Sequence, residues 1–261
     1  MAGREATPGA FLDLALRLAD AAGPIIKRHF RSGAAIVDKA DASPVTIADR
    51  DSEAAMRAII AEVAPEHGIL GEEHGADRID AEYVWVLDPI DGTKSFVTGK
   101  PLFGTLIALT HRGLPVIGVI DQPVLNERWV GIAGQPTRFN GRPIATRACA
   151  SLNEAWMYAT TPQMFVGPDE AAYNRLAGAV KFPLYGADCY AYGLLAAGWA
   201  DLVCEASLKP YDWCALVPVV EGAGGRITDW QGRALTLEPV GRVLAAGDAQ
   251  LHAQALKLLT Q

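Results

Sequence analysis

Two carboxylates lie three residues apart directly after a short apolar run. The run from Tyr83 to Leu87 favours a buried strand, and it is followed by Asp88-Pro89-Ile90-Asp91-Gly92-Thr93. Because Pro89 fixes its own φ, we expect a stiff turn in which the carboxylates of Asp88 and Asp91 converge with the carbonyl of Ile90. Such oxygen ligands suit Mg²⁺, which leaves the rest of its shell to water and substrate phosphate. The segment predicts a magnesium site, and the alternative is an ordinary surface turn.

Donors for a phosphate group follow these carboxylates immediately. Gly92 lets the backbone approach a ligand closely, and the N–H groups of Gly92 and Thr93 are therefore predicted phosphate ligands. Lys39 and Lys94 are further candidates for steering phosphate, although a solvated position is an equal alternative for each.

Two other acidic segments are candidates for the same metal site. Glu72 and Glu73 follow a short strand at Ile69-Leu70, and alternation along a strand directs one of the two towards a site and the other away. Asp212 stands at the expected start of a helix that ends near Gly222. By themselves these acids indicate a solvated turn and a helix N-cap.

The composition excludes several classes of protein. The chain has 261 residues, half of them apolar, and 30 acidic against 23 basic residues give a net charge of −7. No general positive field exists to hold nucleic acid or an anionic membrane, so we expect neither as a partner. We expect no secretory signal and no membrane span. The four cysteines have no zinc-type spacing, so buried free thiols and a cytoplasmic location are predicted.

In the N-terminal half, apolar periodicity predicts helices followed by strands. A first helix, with an apolar face from Phe11 to Ile25, should bend or end at Pro24. A second should begin after Thr46 and end before Pro65, with an inward face formed by Ala55, Ile59 and Val63. The polar segment between them, residues 37–45, is predicted to be a loop. Strands connected as a meander are predicted over 83–87, 102–109, 115–120 and 128–132.

The second half is expected to alternate between helices and strands. Helices are predicted over 170–180, 190–197, 212–222 and a final stretch around 251–258, with strands over 201–205, 226–228 and 243–246. We interpret residues 1–261 as a single unit. A soft division near 135–155 separates an N-terminal metal-binding α+β half from a C-terminal α/β half.

The ordered set Gly-Glu-Glu, Asp-Pro-Ile-Asp-Gly-Thr and a late Asp resembles the signatures of the inositol monophosphatase superfamily of Mg²⁺-dependent, lithium-sensitive phosphatases. The early element Thr46-Ile47-Ala48-Asp49 extends the resemblance over nearly the whole chain. The fold it implies is α+β, a layered αβαβα sandwich of the inositol monophosphatase/fructose bisphosphatase type. It also implies a homodimer, two or three Mg²⁺ ions and inhibition by Li⁺.

The resemblance also assigns roles to individual residues. It makes the metal ligands Glu72, Asp88, the Ile90 carbonyl, Asp91 and Asp212. The catalytic residues are Asp49, Glu72 and Thr93, with Asp49 accepting a hydrogen bond from Thr93 as the two orient water for in-line attack on phosphorus. Gly92 and Thr93 are the implied phosphate ligands.

Three segments are more similar to the histidinol-phosphate phosphatase branch than to the inositol phosphatases: residues 88–109, 185–192 and 208–212. This resemblance implies hydrolysis of L-histidinol phosphate in histidine biosynthesis. A leaving group that carries an ammonium and an imidazole favours carboxylate partners, for which Glu205 and Asp188 are the candidates. A helix cap is the alternative for Asp188, and Glu205 would suit polyol hydroxyls as well.

Two other functions stay open at this point. An inositol-1-monophosphatase with broader sugar and polyol phosphate specificity fits the same signatures. A metal-binding regulatory module without turnover is the second alternative, although every acidic residue of the signatures is present.

Overall fold

The computed structural model describes residues 11–32, 36–38 and 44–261. Lys39 lies outside these residues. The helices are α1 Leu12–His29, α2 Ile47–Val63, α3 Thr93–Val97, α4 Pro168–Ala179, α5 Asp188–Ala196, α6 Pro210–Trp213, α7 Leu216–Gly222 and α8 Ala249–Leu259. The strands are β1 Ile36–Asp38, β2 Pro44–Thr46, β3 Gly68–Gly71, β4 Gly75–Asp77, β5 Tyr83–Asp91, β6 Gly104–His111, β7 Leu114–Gln122, β8 Glu127–Ile132, β9 Arg138–Phe139, β10 Arg142–Pro143, β11 Trp156–Ala159, β12 Phe182–Tyr185, β13 Leu202–Glu205, β14 Arg226–Thr228 and β15 Val243–Ala246.

Five layers of alternating helices and sheets form the molecule. An eight-stranded sheet has the order β10-β9-β8-β7-β6-β5-β3-β4, and a five-stranded sheet has the order β12-β11-β13-β15-β14. Helices α1 and α2 pack on the outer face of the larger sheet, α5 and α7 contact both sheets from between them, and α8 packs with α4 against the smaller sheet. This arrangement confirms the α+β layered sandwich. Three apolar clusters fill the spaces between the layers.

The larger sheet is built around the predicted meander. Strands β5, β6, β7 and β8 pair antiparallel in sequence order. Strand β3 joins the sheet parallel to β5, with Gly71 opposite Leu87. Two parallel neighbours therefore finish at the same edge, which places the residues after Gly71 beside the residues after Leu87.

Several element boundaries differ from the prediction. Pro24 does not end α1, which continues to His29 with Ala22 and Ile26 fully buried on either side of the proline. Packing of this face on the sheet offsets the hydrogen bond that proline removes. Parts of the predicted loop 37–45 form the short antiparallel pair β1 and β2. The predicted helix 212–222 is two helices, α6 and α7.

The inward face of α2 was predicted correctly only in part: Ile59 packs against the core, but it lies at the edge of the buried face. The buried residues of α2 are Ala48, Asp49, Ser52, Glu53, Met56 and Ile60, whereas Val63 is 46% exposed. Polar residues occupy half of the buried face, so a search for apolar periodicity selects the adjacent face instead.

Two further expectations concern the chain as a whole. All four cysteines are buried and unpaired, as predicted. None of the described helices is long and apolar enough to cross a membrane. The interpretation as one unit with a soft division near 135–155 stays a prediction; the central apolar cluster includes residues from both sides of that division, such as Trp129 and Trp213.

Candidate active site

Glu72 lies beside Asp88 because β3 and β5 run in parallel. The N–H of Glu72 donates to the Leu87 carbonyl at 3.1 Å, which continues the pairing of the two strands by one residue. Burial holds the pKa of Asp88 well above its ordinary value, and repulsion from the neighbouring Glu72 carboxylate raises it further.

Asp88 and Asp91 belong to the end of β5 and not to a free turn beyond it. The pairing with β6 places Asp88 opposite Leu106 and Asp91 opposite Gly104, with an irregularity between the two pairs. A β-bulge of this kind redirects side chains that simple alternation would separate. The Asp88 carboxylate closes the bulge by accepting the Ile90 N–H at 3.1 Å.

Asp212 reaches the same place from the C-terminal half. It is the third residue of α6, and its Oδ2 accepts the N–H of Lys209 at 2.6 Å, so it closes the first turn without being the N-cap. One oxygen from each of Asp88, Asp91 and Asp212 lies within 4.8 Å of the other two. Burial, followed by repulsion from Glu72 and Glu205, raises the pKa of Asp212 to about 8.

The donor set fits a hard divalent cation. Three buried or half-buried carboxylates within reach of one another repel unless a cation or protons neutralise them. Oxygen donors without imidazole are typical of Mg²⁺ or Ca²⁺ sites. The thiol of Cys189 lies 4.0 Å from the Asp91 carbonyl oxygen, but burial raises its pKa well above the ordinary value and keeps it protonated.

Asp49 presents a buried acceptor without a protein partner. Its Oδ2 accepts the N–H of Thr46 at 2.8 Å and the Thr46 hydroxyl at 2.6 Å in a capping box at the start of α2, while its Oδ1 has no hydrogen-bond partner. Burial and the nearby Glu72 raise the pKa of Asp49. An orphaned carboxylate oxygen next to an acidic cluster is what a bound cation or its water would satisfy.

Thr93 makes a different hydrogen bond from the one the resemblance implies. Its hydroxyl donates to the Ile90 carbonyl at 3.1 Å, so its single proton is not directed at Asp49. Gly92 precedes it with φ 92°, a left-handed conformation that suits glycine and begins the short helix α3. The first N–H groups of this helix have no partner within it.

Glu205 and Asp188 lie next to the acidic cluster, joined by Thr160. The Oε1 of Glu205 accepts the Thr160 hydroxyl at 2.6 Å and its N–H at 3.0 Å, and the Oε2 accepts the Tyr192 hydroxyl at 2.9 Å. The Thr160 hydroxyl also lies 3.3 Å from Asp188 Oδ1. Burial raises the pKa of Glu205 to about 7 despite these donors.

Asp188 begins α5 in a left-handed conformation, with φ 46°, and its side chain does not act as a cap. Its Oδ2 lies 3.4 Å from the Ser95 hydroxyl, and the ammonium groups of Lys100 and Lys94 counter part of the rise that burial causes in its pKa. The next residue, Cys189, donates its N–H to Asp91 Oδ2 at 2.6 Å. The start of α5 is thereby attached to the acidic cluster.

Sequence reasoning missed three residues that organise this region. Thr160 and Lys100 carried no signal in the sequence, because they are single polar residues in a loop and after a helix. Glu53 carried one: it lies four residues after Asp49, on the same face of α2.

The layered α+β sandwich, with an acidic cluster formed at the end of β5 and at α6, is the combination of fold and site that defines the class of the protein. The chain belongs to the inositol monophosphatase family, which it matches over residues 9–261, and it is a phosphatase of that family. The family resemblance seen in the sequence is thereby confirmed.

The names of similar proteins and solved structures refer to more than one substrate. The bifunctional phosphatase IMPL2, chloroplastic, of Arabidopsis thaliana is 55% identical over 251 residues, 93% of this chain and 72% of that protein. A histidinol-phosphatase of Mycobacterium tuberculosis is 34% identical over 95% of this chain and 97% of its own. The structure of an inositol monophosphatase from Zymomonas mobilis superposes with a TM-score of 0.89 at 50% identity, covering 97% of this chain and 99% of that one.

Proposed function

We propose that the protein is a Mg²⁺-dependent histidinol-phosphate phosphatase that converts L-histidinol phosphate and water into L-histidinol and phosphate. The observation that supports this substrate is a pair of carboxylates beside the acidic cluster, the half-buried Asp188 and the buried Glu205, which both lie within hydrogen-bond distance of the Thr160 hydroxyl. Asp91 experiences the charge of both carboxylates, so the pair adjoins the place where phosphate would be cleaved.

A cationic leaving group would stabilise this pair. Burial raises the pKa of both Asp188 and Glu205, and repulsion from Asp188 raises the pKa of Glu205 further, so the ionised forms favour a counter-charge. The ammonium of histidinol, and its imidazole when protonated, supply that charge where a neutral polyol supplies only hydroxyl donors. Relatives named histidinol-phosphatase support the same substrate.

Different residues of the chain would have different roles in hydrolysis. Glu72, Asp88, the Ile90 carbonyl, Asp91 and Asp212 would hold the metal. Bound Mg²⁺ would supply the charge that activates water and neutralises the departing alkoxide. Glu72 and Thr93 orient the attacking water, and the N–H groups of Gly92 and Thr93 bind the phosphate oxygens. Asp49, with its free Oδ1, supports the water or a further cation. Attack is direct and in line, without a covalent phosphoenzyme.

Inositol-1-monophosphatase activity with broader polyol phosphate specificity is the second candidate. The Zymomonas mobilis structure at 50% identity carries that name. The hydroxyls of Thr160 and Tyr192 already donate to Glu205, and the hydroxyls of a polyol could bind this carboxylate in the same way. Two or three bound Mg²⁺ ions, inhibition by Li⁺, a homodimer, the lack of nucleic-acid and membrane partners and a cytoplasmic location stay predictions.

Phosphate release from L-histidinol phosphate, inositol 1-phosphate and adenosine bisphosphate, with Mg²⁺ and with excess EDTA, tests the function. We expect kcat/KM for histidinol phosphate to exceed that for inositol 1-phosphate by at least ~10-fold, because the carboxylates of Asp188 and Glu205 discriminate by charge. Equal values would remove the substrate assignment, and turnover in excess EDTA would remove the metal dependence.

Variants of Glu205 test the pocket separately. We expect Glu205→Gln to lose kcat/KM for histidinol phosphate while its value for inositol 1-phosphate changes less. Glu170→Gln, an exposed glutamate on the outer helix α4, is the matched control. Unchanged selectivity in Glu205→Gln would show that this carboxylate does not recognise the substrate.

A further inference from the structure

A second buried carboxylate on α2 has no part in the mechanism described so far. Glu53 is fully buried, one helical turn after Asp49. It does not belong to the acidic cluster of Asp88, Asp91 and Asp212, whose oxygens lie within 4.8 Å of one another. Burying a carboxylate is costly unless its oxygens find donors, so its partners show what it does.

Those partners are the backbone N–H groups directly after Glu72. The Oε2 of Glu53 accepts the N–H of Glu73 at 2.7 Å, and its Oε1 accepts the N–H of His74 at 3.1 Å. Arg57, on the next turn of α2, donates from Nε to Glu53 Oε1 at 2.7 Å and from its guanidinium to the Gly75 carbonyl. The turn that follows β3 is therefore attached to α2 at three successive residues.

The residue before Glu72 touches the same carboxylate. A Cβ built on Gly71 would lie 1.9 Å from Glu53 Oε1, so only a residue without a side chain lets α2 approach this closely. Glu72 itself donates its N–H to the Leu87 carbonyl of β5. Its backbone is thus paired with β5, while Glu53 packs closely against the residue before it and holds the two residues after it.

We propose that Glu53 is a positioning residue that sets the direction of the Glu72 side chain towards the acidic cluster, and that Arg57 holds Glu53 in place. The inference rests on the proposed metal site. A metal ligand that directly follows the paired strands β3 and β5 keeps its direction only if the turn after it is also fixed. Metal ligands must lie within about 0.5 Å of productive geometry. Glu53 supplies that restraint through charge-assisted hydrogen bonds to the backbone.

The test replaces Glu53 with glutamine. Glutamine keeps one acceptor oxygen and puts an NH₂ group against an N–H donor, so part of the restraint is lost while size is retained. We expect the Mg²⁺ concentration for half-maximal activity to rise by ~10-fold, the lower range for residues that support metal ligands. KM for the phosphate ester at saturating Mg²⁺ should stay within about twofold of the unmodified protein.

A readout without substrate separates positioning from general stability. The unmodified protein should gain Tm when Mg²⁺ is added, and Glu53→Gln should gain less over the same titration. A purely structural role would lower Tm equally with and without Mg²⁺. Glu62→Gln, on an exposed position of the same helix, is the matched control and should behave as the unmodified protein.

The outcomes distinguish this inference from the proposed function. A folded Glu53→Gln with an unchanged Mg²⁺ midpoint and Tm gain would overturn it, provided that Glu72→Gln shows a raised midpoint. If Glu72→Gln is also unchanged, the proposed metal site itself is wrong. If Glu53→Gln does not fold, Arg57→Gln decides: a smaller rise in the same direction supports the proposal, and an unchanged midpoint overturns it.

Discussion

Asp91 links two parts of the site through one carboxylate. Its Oδ2 accepts the N–H of Cys189 at 2.6 Å, and the same group lies with Asp88 and Asp212 in the acidic cluster. Burial and repulsion from neighbouring carboxylates hold its pKa well above the ordinary value. Its negative charge therefore destabilises the metal-free protein and becomes favourable only when a cation is bound.

Asp91→Asn should separate these two effects. Asparagine retains an oxygen for the Cys189 N–H and removes the charge, so in EDTA we expect a Tm equal to or above that of the unmodified protein. With Mg²⁺, we expect the gain in Tm to disappear and kcat/KM to fall by ~100-fold or more. Thermal melts and phosphate release measure both effects. Asp51→Asn, exposed on α2, is the control; full activity of Asp91→Asn would contradict the assignment.

Two tyrosines of α5 provide a matched pair for testing the Glu205 pocket. Tyr192 donates its hydroxyl to Glu205 at 2.9 Å, and Tyr190 donates its hydroxyl to Glu127 at 2.6 Å, away from the acidic cluster. Each bond joins a phenol to a carboxylate. Comparing Tyr192→Phe with Tyr190→Phe isolates the effect of position.

We expect Tyr192→Phe to raise KM for histidinol phosphate by ~10-fold near pH 7, the equivalent of one hydrogen bond to a charged group. The Tyr192 hydroxyl lowers the pKa of Glu205, which stands at about 7, so its loss leaves Glu205 more protonated at neutral pH. The KM of the variant should therefore recover towards pH 9. A KM that rises equally in both tyrosine variants would contradict this reading.

At the level of elements, α7 lies directly on the larger sheet. A Cβ on Gly118 of β7 would lie 1.9 Å from the carbonyl oxygen of Ala215, which precedes α7 and follows Asp212 by three residues. The position of this connection therefore fixes both the packing of two layers and the approach of Asp212 to β5.

Gly118→Ala should reduce the free energy of unfolding by roughly 1 to 3 kcal/mol, the usual cost of overpacking, because the contact is with backbone. Urea denaturation measures the change, and the Mg²⁺ midpoint should rise with it as Asp212 moves. Gly178→Ala on α4 is the control, since a Cβ there meets nothing within 4 Å. Equal stability of the two variants would show that the connection can shift freely.

The elements also show what the sequence could and could not predict. Strands β5 to β8 are rich in apolar residues, and their meander was predicted correctly because buried strands carry this pattern. The buried face of α2 was predicted only in part because Asp49, Ser52 and Glu53 place carboxylates and a hydroxyl inside. The order of the motifs was enough to group the metal-ligand candidates into one predicted site. Thr160, in contrast, reaches Glu205 only through the parallel pairing of β11 and β13, which no local sequence pattern encodes.

For the whole molecule, the buried carboxylates predict an unusual dependence of stability on pH. The pKa values of Glu205, about 7, and Asp212, about 8, lie above those of the unfolded chain. Between roughly pH 5 and pH 8 the folded protein therefore binds more protons than the unfolded chain, and stability falls as pH rises.

We expect Tm in EDTA to decrease across this range, because the free energy of unfolding falls by ~1.4 kcal/mol per pH unit for each excess proton. Because ionised carboxylates bind Mg²⁺, the gain in Tm at saturating Mg²⁺ should increase over the same range. Melts at five pH values with EDTA or Mg²⁺ measure both trends. A metal-free Tm that rises from pH 5 to pH 8 would contradict the protonation states inferred for the cluster.

The acidic cluster takes Asp88 and Asp91 from β5 and Asp212 from α6. The neighbouring Glu205 lies on β13, whose antiparallel partner β15 follows it in the chain and pairs Val243 with Glu205. During synthesis Asp88 and Asp91 therefore leave the ribosome long before Asp188, Glu205 and Asp212. The repulsion from these later carboxylates that raises the pKa of Asp91 arises only when the C-terminal half docks. During synthesis the site forms late, so a truncated product would lack the cluster and the competence for turnover together.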